Sequence, residues 1–302
     1  MKKFSFVLMI GVLALWGDIP SCFAQKDDVA MVMNLSGQAI YKTGKKEKQP
    51  VEIADFFYQG DRIYLGRGAK IVLIYSAGGT REELVGHGII KVGKTGSEIE
   101  DKTVRVKKAD INYLPDKAII KMGTKYAAMP LRGETETDHK IDSDKMKILS
   151  LCDTNIRSLN PKFRWQQVEG AKKYKLRISD EEDEQIFETI TEGAGFVYGK
   201  SGLYHGKDYQ WTVLALAGGK AIARAEGWFS ILKEAQIRQL EKTESEINVK
   251  FPGKNPERLI NLALVFQEYA LFDATTTILK QLSVHFPENR NIKNWTNQIT
   301  CE

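Results

Sequence analysis

Two apolar runs separated by glycines, within residues 59–75, constrain the fold of this chain more than any other feature. The segment reads QGDRIYLGRGAKIVLIY. Its first run places Ile63 and Leu65 on one face, which predicts a strand with one buried side. Its second run, residues 71–75, is apolar on both faces, which predicts a strand buried on both sides. The glycines between the runs suit positive φ angles that other residues adopt at a cost. The segment predicts a sheet, and it holds no nucleophile, metal-ligand cluster or phosphate-binding loop.

The first 24 residues are typical of a signal peptide. Two lysines precede a short apolar run over residues 4–16, and Cys22 and Ala24 supply small residues before a cleavage site. The run is too short for a transmembrane helix. We therefore expect export to the periplasm, with no transmembrane helix after signal removal. Residues 19–22 loosely resemble a bacterial lipobox, so a lipid anchor at Cys22 is the alternative.

Composition and charge are those of a soluble globular protein rather than a nucleic-acid binder. The chain has 302 residues, enough for two or three domains, with 42% hydrophobic and 27% charged residues. Signal removal takes away two lysines and one aspartate, which lowers the formal net charge from +5 to +4. Because lysine and glutamate are interleaved along the chain, this excess indicates a solvated surface, and we expect no nucleic-acid partner.

The two cysteines that follow the signal segment leave their pairing open. An exported location permits a disulfide between Cys152 and Cys301. They lie far apart in the sequence and in different predicted modules, so free or separately buried thiols are an equal alternative.

Residues 28–125 predict an all-β domain. Short alternating runs lie on both sides of the opening segment, with glycines between them. The segment LSGQAIYKTGKKEKQPVEIADFFYQGDRIYLGRGAKIVLIYSAGGTREEL resembles the FecR domain, an all-β periplasmic module. The resemblance rests on Gly37, the turn and strand at residues 60–63, Gly66, and the strand at residues 70–75.

Two departures limit what this resemblance implies. Ala77-Gly78-Gly79 stands where the family usually carries an Asp-Gly turn. The regulators that name the family carry a cytoplasmic sigma-factor-controlling segment and a membrane span before this domain, whereas this chain begins with a signal-like segment. The resemblance therefore implies the domain and not the sigma-factor role.

Residues 126–160 predict a linker. Apolar periodicity fades there, and carboxylates are mixed with Thr, Ser and Lys at Glu134, Glu136, Asp138, Asp142 and Asp144. Carboxylates can bind calcium, but the Asp-x-Asp-x-Asp-Gly spacing is absent, so we expect a solvated segment and no metal.

Residues 161–232 predict an antiparallel β-sandwich. Aromatic and aliphatic residues alternate in its short runs, as in Tyr174, Leu176 and Ile178, and in Tyr209, Trp211 and Val213. The segments NPKFRWQQVEGAKKYKLRISD and GLYHGKDYQWTVLAL resemble fibronectin type III and immunoglobulin-like modules. This resemblance implies a fold and almost nothing about function. Alternation predicts that the aromatic rings form a core rather than a sugar-stacking surface.

Residues 233–302 predict helices. Phe251-Pro252 and Phe286-Pro287 repeat close to the tetratricopeptide period of about 34 residues. The resemblance to that repeat rests on Leu259, Leu262, Ala263, Phe266, Leu279 and the terminal Pro287. Thr275 and Leu282 depart from it, because small alanines are usual there.

Only about one such repeat fits the helical region, and at least three are normally needed for an independent stack. We therefore expect the helices to dock on the sandwich, on a second copy or on a partner. Gln267 and Tyr269 are the candidate exposed residues for a partner contact.

No catalytic pattern is present in the sequence. The histidines are scattered singly at positions 87, 139, 205 and 285, without a zinc-binding spacing. No Gly-x-Ser-x-Gly motif occurs. The acidic run at residues 180–184 lies in a predicted turn, whereas catalytic carboxylate pairs need a buried member. We expect no catalytic residue, metal or cofactor.

These observations favour a non-enzymatic modular scaffold of the cell envelope that binds another envelope protein. A glycan-binding or peptidoglycan-binding protein is the first alternative, and exposed rings at Trp165, Tyr198, Tyr204 or Trp228 would favour it. A FecR-like component of envelope signalling is the second alternative.

Overall fold

The computed structural model is mainly β with a helical C-terminal part, as the sequence predicts, and it describes residues 28–77, 79–101, 103–111, 146–253 and 255–301. The N-terminal β-domain contains β1 (Asp28–Ser36), β2 (Ala39–Lys42), β3 (Gln49–Pro50), β4 (Phe56–Tyr58), β5 (Arg62–Tyr75), β6 (Thr80–Val92), β7 (Ser97–Ile99) and β8 (Arg105–Asp110). The second β-domain contains β9 (Thr154–Ile156), β10 (Lys162–Arg164), β11 (Lys173–Ser179), β12 (Gln185–Thr191), β13 (Gly195–Val197), β14 (Asp208–Ala217) and β15 (Lys220–Ile231). The predicted signal segment, residues 112–125 of the predicted N-terminal β-domain and residues 126–145 of the predicted linker lie outside the described residues.

Strand β5 is the centre of the N-terminal sheet. It pairs with β1 and β2 along one edge and with β6 along the other. The two strands predicted within residues 59–75 are therefore halves of one strand, and the prediction of two separate strands is wrong. The glycines bend the strand instead of ending it: the β5–β6 register shifts between Leu65 and Ala69, and Gly68 has a φ of 71°.

The second half of β5 is buried on both faces, as the sequence predicts. Ile71, Leu73 and Tyr75 point into the core of the N-terminal β-domain. Val72 and Ile74 point the opposite way, into an apolar layer shared with the C-terminal helices. Both of these side chains are at most 1% exposed. The second apolar face of this strand thus marks a contact between two parts of the chain.

The second β-domain consists of two facing sheets. One sheet has the strand order β12-β11-β14-β15-β9, and the other pairs β10 with β13. Its core is aromatic, as the alternation predicts: Trp165, Tyr174 and Trp211 are all buried. The predicted linker requires correction at its end, because β9 pairs with β15 and Leu151 is buried in this core. The short apolar stretches at the end of the predicted linker pack against the sandwich, but they have no periodic pattern from which the sequence could predict a strand.

Four helices follow in the described chain: α1 (Glu234–Lys250), α2 (Pro256–Glu268), α3 (Phe272–His285) and α4 (Arg290–Ile299). Pro256 is the first residue of α2, a position that proline favours, and Asn255 caps the helix by accepting a hydrogen bond from Glu257 N at 2.9 Å. Asn289 caps α4 in the same way, accepting from Ile292 N at 2.9 Å. These two helix starts are therefore encoded locally.

The helices dock mainly on the N-terminal β-domain. Their shared apolar layer includes seven β-domain residues: Met31, Met33, Ile53, Ala54, Val72, Ile74 and Ile111. They also contact β9 of the second β-domain through the turn between α2 and α3. Of the docking surfaces expected from the sequence, the sandwich is contacted, but the larger surface is the N-terminal β-domain, which was not among them.

Candidate functional site: the helical junction between the two β-domains

A buried ion pair joins α2 to the N-terminal β-domain. Arg81 of β6 donates from Nε to Glu257 Oε2 at 2.9 Å and from a terminal nitrogen to Oε1 at 3.1 Å. The two side chains are only 13% and 4% exposed. Glu257 lies in the first turn of α2, where the helix dipole favours a negative charge. This geometry fixes the start of α2 against the sheet.

The start of α4 is attached to the loop before β4. The Asn289 side chain donates to the Ile53 carbonyl at 2.8 Å, and the Asn291 side chain donates to Asp55 Oδ1 at 2.8 Å. Burial raises the pKa of Asp55, while hydrogen bonds from Glu52 N and from Asn291 act in the opposite direction. Two asparagines separated by one residue thus both bind the helix to the β-domain.

The turn between α2 and α3 binds the second β-domain through the backbone. Asn155 N donates to the Ala270 carbonyl, and the Asn155 side chain donates to the Tyr269 carbonyl, both at 2.8 Å. The Thr154 hydroxyl donates to the same Ala270 carbonyl and accepts from Phe272 N, each at 3.0 Å. Strand β9 is therefore held by β15 on one side and by the helical turn on the other.

A disulfide between Cys152 and Cys301 closes the junction, with 5.9 Å between the two Cα atoms. This settles the two alternatives that the sequence leaves open in favour of the bridge. It links the segment before β9 to the residue that follows shortly after α4. Next to Cys152, the Leu151 carbonyl accepts a hydrogen bond from the Trp211 indole at 3.0 Å, so the bridge is anchored to the sandwich core.

A polar cleft of about 350 Å³ lies at this junction and is lined by Asn155, Gln236, Glu268 and Tyr269. Burial, and then the neighbouring Glu268 carboxylate, raises the pKa of the Tyr269 phenol. The lining offers amide and phenol donors, carboxylate and amide acceptors, and one aromatic ring. Such a set can bind polar ligands or side chains by hydrogen bonds.

The two candidate contact residues, Gln267 and Tyr269, differ in their surroundings. Tyr269 is half-buried rather than exposed: it packs against the apolar layer of the helices and also lines the junction cleft. Gln267 is only 4% exposed, and its Oε1 accepts a hydrogen bond from the Trp295 indole at 2.6 Å, so the expectation that Gln267 is exposed is wrong. The reason is that α2 is covered on several sides, by other helices as well as by the β-domain. Helical periodicity does not reveal how many sides are covered.

The sequence did not indicate that the other residues lining the cleft would come together. Asn155, Gln236 and Glu268 come from β9, α1 and α2, and no motif joins them. Gln236 accepts a hydrogen bond from Lys233 N at 3.0 Å, a helix-start role that its position in the sequence suggests. The convergence of these residues is purely tertiary.

The aromatic residues considered for glycan stacking are mostly covered. Trp165 and Tyr198 are at most 1% exposed, and Trp228 is half-buried. Tyr204 is 67% exposed, and its ring is available at the surface. An aromatic platform of several rings on the second β-domain is therefore not formed by these four residues.

The described residues hold no group of three or more His, Cys, Asp or Glu side chains placed to bind a metal ion. In the acidic run at residues 180–184, residues 181–184 are exposed in the β11–β12 turn, as predicted, whereas Asp180 is half-buried. Across the described parts of the chain, we find no helix with the length and apolar character needed to cross a membrane.

Comparisons with known proteins give no family for this chain. No protein-family model and no curated protein matches it. Among solved structures, an Fn3-like protein from Clostridium thermocellum is 18% identical over 30% of this chain and 96% of that chain, with a TM-score of 0.23. A β-glucuronidase from Ruminococcus gnavus is 15% identical over 29% of this chain, with a TM-score of 0.21, and the match spans 15% of the enzyme. Both TM-scores are too low to carry a functional argument.

Proposed function

We propose that this chain is a non-enzymatic scaffold of the cell envelope that binds another envelope protein. In this proposal a FecR-like domain and a fibronectin-type-III-like domain are held at a fixed spacing by a tetratricopeptide-like helical connector. One observation supports it above all: the helices are attached to both β-domains. The attachment uses the Arg81–Glu257 ion pair on one side and the Ala270 contact with β9 on the other.

An exported location is consistent with this role. A disulfide persists in oxidising compartments and is rare in the bacterial cytosol. Cys152 and Cys301 form such a bridge, and the first 24 residues have the composition of a signal peptide. Periplasmic release is the form we propose, and a lipid anchor at Cys22 is the alternative.

The helical connector is a poor choice for deletion. Removing residues 233–302 would uncover Val72 and Ile74, and each buried aliphatic side chain contributes about 1.5–3 kcal/mol to stability. A truncated protein that loses a partner would therefore not show where the partner binds. Single surface substitutions in the full chain are the appropriate variants.

The test is in-cell crosslinking followed by affinity capture of the tagged full chain. We compare the unmodified protein with Tyr269→Ala at the junction cleft, and we use Tyr204→Ala as a matched loss of an exposed tyrosine ring. We expect a discrete envelope protein with the unmodified chain and with Tyr204→Ala, and a several-fold lower recovery with Tyr269→Ala. Failure of the unmodified chain to capture any protein would contradict the scaffold. Equal recovery with Tyr269→Ala would contradict the cleft as the contact surface.

Glycan binding is the second candidate function, and the junction cleft favours it. An aromatic ring beside amides and a carboxylate is a set that suits sugar hydroxyl groups. Calorimetric titration with soluble peptidoglycan fragments tests this candidate, with Asn155→Ala and Tyr269→Ala as variants. Heat of binding that is lost in Tyr269→Ala supports glycan binding, and no heat with the unmodified chain excludes these fragments as ligands.

The FecR-like signalling role rests on the resemblance, and capture of a membrane regulator or outer-membrane receptor would support it.

A further inference from the structure

Strand β12 is a free edge of the five-stranded sheet. In the described part of the chain it pairs with β11 and with no other strand. An edge strand directs about half of its backbone N–H and C=O groups away from its neighbour, where they can pair with an added strand. Natural edges are usually protected by charged side chains, especially lysine, by proline, by bulges or by a very short strand. The seven residues of β12, QIFETIT, include neither lysine nor proline; their one charge is Glu188, and the one register shift lies at the start of the strand.

The surface beside this edge carries apolar side chains on both faces of the strand, and on the outer face Glu188 lies next to Ile190. Ile190 is 58% exposed on the outer face of the sheet. On the inner face, the rings of Phe187 and Phe196 stack with centroids 5.5 Å apart, and both residues are only half-buried. An added strand would therefore bury apolar surface against these rings as well as form backbone hydrogen bonds.

The charge around the β12 edge favours a basic partner over an acidic one. Residues 180–192 contain seven acidic residues and no Lys or Arg. Two of these carboxylates are matched by β11: Arg177 lies 3.1 Å from Asp183, and Lys175 lies 2.9 Å from Glu188. Pairing of two β12 strands would bring two such acidic segments together, and like charges in adjacent strands repel. The edge is thus suited to a basic strand and opposes a second copy of itself.

We propose that β12 binds an extended peptide segment of a partner protein by strand addition, with apolar residues alternating with Lys or Arg. The apolar side chains of the segment pack on Phe187 and Phe196. The basic side chains lie on the opposite face, beside Glu188. This inference rests on the proposed scaffold function, for which it names a binding surface and the chemistry of the partner.

The test uses the synthetic peptide acetyl-KVKVKVK-amide as the probe and the full mature chain labelled with ¹⁵N. We expect amide shift changes in β12 and not in α3. Glu188→Lys should weaken binding of the probe about five- to tenfold, because it replaces an attraction with a repulsion of similar size. Glu241→Lys makes the same charge change at an exposed position of α1, so it should leave the dissociation constant within about twofold.

Backbone pairing is tested with a second peptide of the same sequence that is N-methylated at alternate residues. It keeps the charges but loses main-chain donors, so binding at β12 should be lost. Equal binding of the two peptides, or shift changes that are largest away from β12 and its neighbours β11 and β13, would overturn the inference. A dimer in solution that Ile190→Lys abolishes would also overturn it, because the occupant would then be a second copy. If the crosslinking capture succeeds while the probe fails here, only the strand-addition inference is lost.

Discussion

The ion pair between Arg81 and Glu257 gives the sharpest test of how the helices are attached. Glu257→Gln keeps the shape of the side chain but removes its charge, which leaves the Arg81 guanidinium at 13% exposure without its main partner. Breaking a buried ion pair by removing one partner typically costs about 3–5 kcal/mol. We expect the lower end, about 3 kcal/mol, because Glu83 remains 3.4 Å from Arg81.

Native-state hydrogen exchange of the α2 amides measures this loss directly, since it reports the free energy of local opening. Replacing both partners, as in Arg81→Met with Glu257→Leu, should cost less than the single change, because no uncompensated charge is left buried. Glu234→Gln is the matched control: its pair with Arg238 is 69% exposed on both sides, so we expect a change below about 0.5 kcal/mol. A loss below about 1 kcal/mol in Glu257→Gln, with the double variant no more stable than the single one, would contradict attachment of α2 through this ion pair.

Three further predictions concern the disulfide, a glycine and a buried carboxylate. Replacing Cys152 and Cys301 together with serine should destabilise the attachment of α4 by about 2–4 kcal/mol, seen as faster hydrogen exchange in α4, and unchanged exchange would contradict an anchoring role. Gly86→Ala would place a Cβ 2.4 Å from the Thr103 carbonyl oxygen, so it should lower the free energy of unfolding of the N-terminal β-domain by more than about 2 kcal/mol in thermal unfolding. Gly193→Ala in the second β-domain, where the added Cβ has no atom within 4 Å, should change the free energy of unfolding by less than about 1 kcal/mol. Burial raises the pKa of Asp273, so its folded form holds the proton more tightly than the unfolded chain, and the stability that the proton confers is lost as pH rises through the folded pKa. Asp273→Asn should therefore stabilise the chain more at pH 7 than at pH 4 in urea unfolding, and the reverse order would contradict the direction of the shift.

Much of the secondary structure follows from local patterns. Alternation predicts the aromatic core of the second β-domain, and apolar residues on both faces predict the double burial of β5. Pro256 and Asn255 mark the start of α2. These features depend on side-chain period and on backbone groups within a few residues, so the sequence is sufficient to find them.

Two local interpretations fail for physical reasons. Glycines usually end strands, but β5 continues through the irregularity between Leu65 and Ala69. On one edge β6 pairs with both halves of β5, and on the other edge β2 pairs with the half before the irregularity and β1 with the half after it. Gln267 was expected at the surface because it is a polar residue on a helix whose sequence does not show how many of its sides are covered. It is buried because Trp295, 28 residues later, supplies a hydrogen-bond donor inside the covered region.

The period, class and approximate position of the strands and helices follow from the amino-acid sequence alone, because each depends on neighbouring residues. The surface that covers the helices, and the distant groups that meet there, are seen only in the folded chain. Arg81 and Glu257 are 176 residues apart, and Cys152 and Cys301 are 149 residues apart. Charges and thiols pair through space, and no periodicity along the chain specifies a partner at that separation. The physical reason is that apolar burial is non-directional, so the second apolar face of β5 indicates that something covers it but not what does.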